Sequence, residues 1–504
     1  MDTAVKMSGI TMRFGNVVAN ENVDFEVRRA EVHALVGENG AGKSTLMNIL
    51  YGLYIPTSGT VEIWGKKQNF GSAIDAIKAG IGMVHQHFML IPQLTVADNI
   101  VLGEEPQKGL TYLRKNANRQ IEKLCEEYNM SLDPKAVISQ ISLGTQQRVE
   151  IMKALYRKAE IIILDEPTAV LTPQEIDELG RMLKHLKQMG KTVIIITHKL
   201  QEVIDFSDRV TVLRRGKIVG TVETNETSPG EITRMMVGRN VHLGGEKQAV
   251  EHGKPVLRLD HVDYNNGRVD KLKDVSFSVH EGEIFGIAGI DNSGQKEISE
   301  AINGLIHPNS GCVLIEGKDV SKTHTAAIKK SGVGFVPQDR QKSGLALGLT
   351  VEDNLILGYQ NNPEFKKKRF LLKKSSIAQD AERKIEAFDI RPTDRHAIAK
   401  DLSGGNQQKV VVARELSHAD TLIVADQPSR GVDIGAIELI HRSLVDARNN
   451  GKAVLLISLE LDEIMLLSDR IGVMYDGRLM GIMDAASATR EKIGLMMAGG
   501  ESEQ

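Results

Sequence analysis

A chain of 504 residues is too long for a single hydrophobic core, so two or more domains are expected. Its 41% hydrophobic and 26% charged residues exclude a disordered polymer, and Lys+Arg 63 against Asp+Glu 66, a net charge of −3, excludes the basic excess of a dedicated nucleic-acid binder. Cys125 and Cys312 lie far apart with no metal spacing and read as reduced, buried thiols of a cytosolic protein. The opening MDTAVKMSGI carries no signal-peptide pattern, and no apolar run approaches the roughly 18 residues that cross a bilayer. Any membrane role is therefore expected to run through partners.

In chain order, Val32–Val36 reads as a short buried strand. A Gly-rich turn follows it, and then a helix with Leu46, Ile49, Leu50 and Leu53 on one face. Residues 87–150 are mostly helical in pattern, and the apolar runs Ile161–Leu164 and Val193–Ile196 read as further strands. Short continuous apolar runs between helices indicate parallel strands covered on both faces. The segment 242–253 is polar, Gly-containing and without apolar periodicity, as a linker would be.

The pattern then starts again. VGENGAGKS near Gly37 returns as AGIDNSGQK near Gly289, and LTVADNIVLG (Leu94–Gly103) as LTVEDNLILG (Leu349–Gly358). LDEPTAVLT from Leu164 returns as ADQPSRGVD from Ala425. The helix beyond the turn recurs with Ile298, Ala301, Ile302 and Leu305, the strands recur as Leu422–Ala425 and Val454–Ile457, and residues 340–410 are again mostly helical. Matched blocks in one order with slowly drifting offsets mean a duplicated domain, placed at 1–241 and 254–498.

Gly37, Glu38, Asn39, Gly40, Ala41, Gly42, Lys43 and Ser44, followed by Thr45, fit GxxxxGK[ST] between a strand and a helix. The glycines let backbone N–H groups curl around phosphate oxygens, and the helix adds its N-terminal dipole. In that pattern Lys43 pairs with the outer phosphates and Ser44 ligates Mg²⁺. Asp165 and Glu166 end a strand, with Asp165 suited to the Mg²⁺ shell and Glu166 to orienting or deprotonating water. Taken alone, His198 after VIIIT reads as a structural histidine and Gln86 in MVHQHF as a loop amide.

The Gly-rich loop, Gln86, a signature near Ser142, the acidic pair ending in Glu166, and His198 follow the order of the ATP-binding-cassette (ABC) ATPases, which the chain resembles twice over. The resemblance implies an α/β fold of two tandem ABC ATPase domains (P-loop NTPase fold), each with an inserted helical subdomain. It implies ATP and Mg²⁺ as cofactors. It implies that Gln86 touches Mg²⁺, that His198 contacts the γ-phosphate, and that Phe14 in MRFG stacks on adenine. It also implies head-to-tail pairing, each ATP lying between the Gly-rich loop of one half and the LSGGQ signature of the other.

The departures from the family pattern fall unevenly. The second half has Gln295 and Lys296 where the first has Lys43 and Ser44, Gln427 for Glu166 and Leu459 for His198, while Gln338 is kept. Its signature, Leu402, Ser403, Gly404, Gly405, Asn406, is close to the full motif. The first half has Ile141, Ser142, Leu143, Gly144, Thr145 there, and Thr172 where the second has Asp433. Paired across, one site joins Lys43, Ser44, Gln86, Asp165, Glu166 and His198 with Ser403, Gly404, Gly405, Asn406 and Asp433. The other site takes all the losses. Two first halves pairing with each other would set every intact loop against a defective signature, so the halves are expected to pair within one chain.

The layout resembles the ATPases of simple-sugar and nucleoside importers. The blocks VHQHFMLIPQLTVADNIVLGEEP and GTQQRVEIMKALYRKAEIIILDEPTAVLTPQE are most similar to the nucleoside, guanosine-type branch. That resemblance implies two integral-membrane permease subunits, an extracytoplasmic substrate-binding lipoprotein, and a place as a peripheral membrane protein on the cytoplasmic face of the cell membrane. Tandem cassettes that act on ribosomes or DNA are the competing class. They usually carry two competent sites and a long basic connector, which this chain lacks, so no nucleic-acid partner is expected. The basic run Lys366–Arg369 with Lys373 and Lys374 reads as a solvated helix face, or as a contact for anionic lipid headgroups.

Overall fold

A computed structural model describes residues 3–500, apart from Asn16, Gln86, His87, Leu110, Ala169, Val170, His198, Val250, Glu251, Arg369 and Phe370. It divides into two compact units, with the boundary between Val241 and His242.

Each unit is built on two sheets. In the first, strands Val17–Arg28, Thr3–Phe14, Ser58–Ile63 and Lys66–Gln68 form an antiparallel sheet in that order. The other sheet runs Lys217–Glu223, Arg209–Arg214, Val32–Val36, Thr192–Ile196, Ile161–Asp165, Ile81–Val84, parallel except for the antiparallel edge strand Lys217–Glu223. Val32–Val36 and Thr192–Ile196 are buried along their whole length, the mark of strands covered on both faces. Val5, Phe25, Leu46, Leu50, Ile163 and Leu213 close the core on one side of the parallel sheet. On the other side Ile162, Leu164, Val193 and Leu183 join a core that includes Ile100, Ile121 and Val149 of the insert. The second unit repeats the plan, with a parallel sheet ordered Val333–Val336, Leu422–Asp426, Ala453–Ile457, Ile284–Gly289, Arg470–Tyr475 and an antiparallel edge at Arg478–Asp484.

The repeated LTV-x-DN block has a local reason. Thr95 caps helix Val96–Val101 by accepting from the Asp98 N–H at 3.2 Å, and Thr350 caps Val351–Leu355 by accepting from the Asp353 N–H at 3.2 Å. Asn99 then clamps the preceding loop, accepting from Ile91 N at 2.7 Å and donating to Ile91 O at 3.1 Å; Asn354 does the same to Ala346 at 2.8 and 3.0 Å.

Five expectations change. The helices after the Gly-rich turns are shorter than their periodicity suggests, Lys43–Leu50 and Gln295–Ile302. Gly52 and Gly304 adopt left-handed φ of 75° and 65° and stop the helical path, leaving Leu53 and Leu305 exposed. The inserts are helical (Arg114–Glu127, Leu143–Tyr156; Lys374–Ala387, Gly404–His418) but each also carries a two-stranded ribbon. The basic run lies on such a ribbon, Lys366–Lys368 paired with Leu371–Leu372, not on a helix face; Arg369 of that run lies outside the described residues. The expected linker is docked over part of its length. His242 N donates to Glu438 at 2.9 Å, Lys247 Nζ donates to Ser468 O at 2.7 Å, and Arg448 donates to Gln248 O. Its polar groups thus find partners on the second unit despite the lack of apolar periodicity. The cysteines are half-buried rather than buried.

Candidate functional site

The buried strand Val32–Val36 delivers the chain into a loop that only glycine permits at key points. A Cβ at Gly37 would stand 2.2 Å from Leu213 O, and one at Gly42, at φ 102°, 2.3 Å from Ala19 O. Helix Lys43–Leu50 starts directly from Gly42, so its free N–H groups face the loop. Lys43 curls back into the loop, its Nζ donating to Gly37 O at 2.6 Å and Glu38 O at 3.1 Å. Burial lowers the Lys43 pKa, and the charges of Glu166, Asp165 and Glu38 oppose that shift. Asn39, Gly40 and Ser44 are exposed, Glu38 and Thr45 partly so, and Ala41 is buried.

Asn20 escaped the sequence reading. It is fully buried, its Nδ2 donates to Gly42 O at 3.2 Å, and its Oδ1 is buried without a partner. An asparagine inside a polar-looking strand gives no motif to find it by. In the second unit Leu272 takes the corresponding place, with Cδ2 3.1 Å from where a Gly294 Cβ would lie.

Strand Ile161–Asp165 ends at the acidic pair. Glu166 is held at a left-handed φ of 48°, its N–H donating to Ile196 O at 2.8 Å. Burial, then the neighbouring Glu166 charge, push the Asp165 pKa up to about 6 against the pull of Lys43. The ionised form of Asp165 is therefore the costly one. That cost is full above about pH 6 and is relieved as pH falls through 6 towards the ordinary value of 3.8. Asp165→Asn should accordingly raise the melting temperature of the ligand-free chain at pH 8 and leave it unraised at pH 4, read by calorimetry. Phe14 ends strand Thr3–Phe14 44% exposed, edge-on to Tyr54 with ring centroids 5.4 Å apart, so it is a surface aromatic and not a core one. Gln86 and His198 lie outside the described residues.

The second unit keeps the scaffold and changes the chemistry. Gln295 occupies the lysine position and donates to Ile290 O at 3.0 Å, filling the loop with a neutral amide. Lys296 is exposed and pairs along its own helix with Glu300 at 3.6 Å. Ser299 Oγ donates to Asp426 Oδ2 at 2.7 Å in a buried contact, and burial raises the Asp426 pKa to about 6. Gln427 keeps the left-handed φ, 52°, and its N–H donates to Ile457 O at 2.8 Å; its Oε1 accepts from Leu459 N at 3.4 Å.

The two signature turns share one backbone. Ser142 (φ −61°, ψ 158°) and Ser403 (φ −62°, ψ 156°) each cap the following helix, accepting from Thr145 N at 3.2 Å and Asn406 N at 3.4 Å. Asn406 Nδ2 also donates to Ser403 Oγ at 2.9 Å. A Cβ at Gly405 would stand 2.6 Å from Asp433 Oδ2, and one at Gly144 2.2 Å from Glu175 Oε1. Asp433 caps helix Ile434–Asn449 through Ala436 N at 2.8 Å. Within the first unit the structure thus gathers Lys43, Asp165 and Glu166; within the second it gathers Ser403, Gly404, Gly405, Asn406 and Asp433.

A Gly-lined loop opening a helix, a lysine curled into it and an acidic pair at the end of a parallel strand define a P-loop nucleotide hydrolase. The family model for the ABC transporter matches residues 20–169 and 272–430. The chain is 46% identical over 99% of its length, and 99% of the relative's, to the nucleoside import ATP-binding protein NupA of Lactococcus lactis subsp. cremoris. It is 44% identical over 100% of its length, and 99% of the relative's, to the guanosine import ATP-binding protein NupO of Bacillus subtilis. The chain belongs to the ABC transporter ATP-binding family, as an ATP-hydrolysing subunit of an import system. A solved structure, the archaeal ribosome recycling factor aABCE1 in complex with the ribosomal stalk protein aP1, is similar in fold, with a TM-score of 0.62, 20% identity, 94% of this chain and 88% of that chain covered. Among the described residues no helix is long and apolar enough to cross a membrane.

Proposed function

We propose that the chain drives uptake of nucleosides through two separate permease subunits fed by an extracytoplasmic substrate-binding lipoprotein, acting as a peripheral protein on the cytoplasmic membrane face. The likeness to nucleoside and guanosine import ATPases along the full chain carries this reading. The test is uptake of labelled guanosine, adenosine and ribose in a strain lacking this gene. Loss of guanosine or adenosine uptake with ribose uptake intact supports it; loss of ribose uptake alone overturns it in favour of a sugar importer.

The hydrolytic site we propose is shared between the halves of one chain, 1–241 and 254–498. Lys43 and the loop N–H groups of Gly37–Thr45 hold the phosphates, and Phe14 stacks on the base. Glu166 takes the proton of the attacking water, and His198 and Gln86 read the γ-phosphate. Ser403, Gly404, Gly405, Asn406 and Asp433 supply hydroxyl, N–H and carboxylate groups from the second half. Ser44, Gln86 and Asp165 would hold Mg²⁺. The fit is chemical: a serine hydroxyl and a carboxylate are hard oxygen donors, and Asp165 is a half-buried carboxylate whose pKa stays raised despite the charge of Lys43. Mg²⁺ commonly takes only one or two protein oxygens beside substrate phosphates and water, and among the described residues no cluster of three or more His, Cys, Asp or Glu could hold a metal. When bound, it neutralises the charge that develops on the transferred phosphate.

A further inference from the structure

Arg340 stands two residues beyond Gln338, where the first half has Phe88. Asp339 shapes its segment, Oδ1 accepting from Gln341 N and Lys342 N at 3.0 Å each, so that Arg340–Gly344 forms a single wide helical turn. The half-buried guanidinium reaches across to the loop that follows Gln427. Its Nη1 donates to Arg430 O at 2.9 Å and its Nη2 lies 3.4 Å from Gly431 O. The same Nη2 would be 2.6 Å from a Cβ at Gly404. The guanidinium therefore occupies the space that the missing side chain of the signature glycine leaves open.

Other bonds fix the same three segments to one another. Gln341 Nε2 donates to Gln407 Oε1 at 3.0 Å, and Gln408 Nε2 donates to Pro428 O at 2.9 Å. Arg340 Nε is buried without a protein partner. The first half has Leu143 in place of Gly404 and Phe88 in place of Arg340, so the glycine and the arginine occur together in one half and are absent together from the other.

We propose that Arg340 is a positioning residue for ATP hydrolysis: it holds the Ser403–Gly405 turn and the Arg430–Asp433 loop in register with the segment after Gln338. The proposal rests on the reading that Ser403 and Gly404 serve the phosphates held by Lys43. Arg340 touches no nucleotide in this scheme; it acts through the turn. Its loss should therefore lower kcat and leave the KM for ATP in place, since nucleotide affinity is carried mainly by the Gly37–Thr45 loop.

The test uses the full chain assembled with its permease subunits. Arg340→Ala should lower the ATPase kcat by about tenfold or more with KM for ATP within about twofold. Arg340→Lys, which keeps the charge but not the fork of donors, should recover part of the loss. Ser403→Ala runs alongside as the control for the underlying reading. A large loss in Ser403→Ala with an unchanged kcat in Arg340→Ala overturns the proposal and spares the shared site. No loss in either variant overturns the shared site itself. A raised KM at constant kcat in Arg340→Ala assigns the arginine to nucleotide binding and equally overturns a positioning role. If Arg340→Ala does not fold, the kcat and KM of Arg340→Lys and Arg340→Gln decide by the same criteria.

Discussion

Glu166→Gln should abolish the ATPase activity of the assembled complex, with kcat falling by about 10²–10⁴, the range expected for loss of a general base. The substitution is nearly isosteric, and the second half already shows that glutamine is tolerated at this place in the fold. Gln427 adopts φ 52° against 48° for Glu166, and each N–H donates to the neighbouring strand at 2.8 Å. Stability should change little, which calorimetry checks, so the lost rate reports chemistry and not unfolding. Nucleotide should still bind, because Lys43 and the glycine loop are untouched. Steady-state phosphate release measures the loss, and retention of labelled ATP measures the binding. Substantial turnover in this variant would mean that another group, or the second half, removes the proton.

How much of this was legible in the sequence depends on the kind of residue. Strands such as Val32–Val36 and Ile161–Asp165 were plain because short, largely apolar runs set between helices have few other uses. The duplication was plain because blocks such as LTV-x-DN combine a helix cap with a loop clamp, and both jobs need particular side chains. Periodicity failed at Leu53 and Leu305, since a helical stripe does not register that a glycine has already turned the chain. The reading of a helix face failed at Lys366–Lys368, where the surrounding helical insert suggested a helix and cross-strand pairing with Leu371–Leu372 prevailed. Asn20, Ser299 and Arg340 were illegible for a third reason. Each acts through a tertiary contact, with Gly42, Asp426 and Arg430 respectively, across a sequence separation that no local pattern encodes.

Gly404→Leu should cost hydrolysis about 10²–10³ in kcat, although it lies in the half without a catalytic glutamate. The residue is the one the first half carries as Leu143, and Ser142 and Ser403 have the same backbone within a few degrees. The turn's backbone therefore accepts leucine, but a Cβ at Gly404 would stand 2.6 Å from Arg340 Nη2, so the guanidinium must move aside. The loss would come from that displacement together with a branched side chain where backbone N–H groups approach phosphate in the proposed site. The reciprocal change, Leu143→Gly, should leave the rate within about twofold, because the loop it would face has Gln295 for the lysine and Gln427 for the general base. Restoring those groups with Gln295→Lys and Gln427→Glu should still create no second hydrolysing site. Lys296 would remain in place of the Ser44 hydroxyl, turned out along its helix towards Glu300, and Ser299 would still tie up Asp426. Phosphate release in the double variant made on a Glu166→Gln background measures this directly. Activity above that background would show that the second half lost only two groups, and not the wider arrangement that the Ser299–Asp426 contact now occupies.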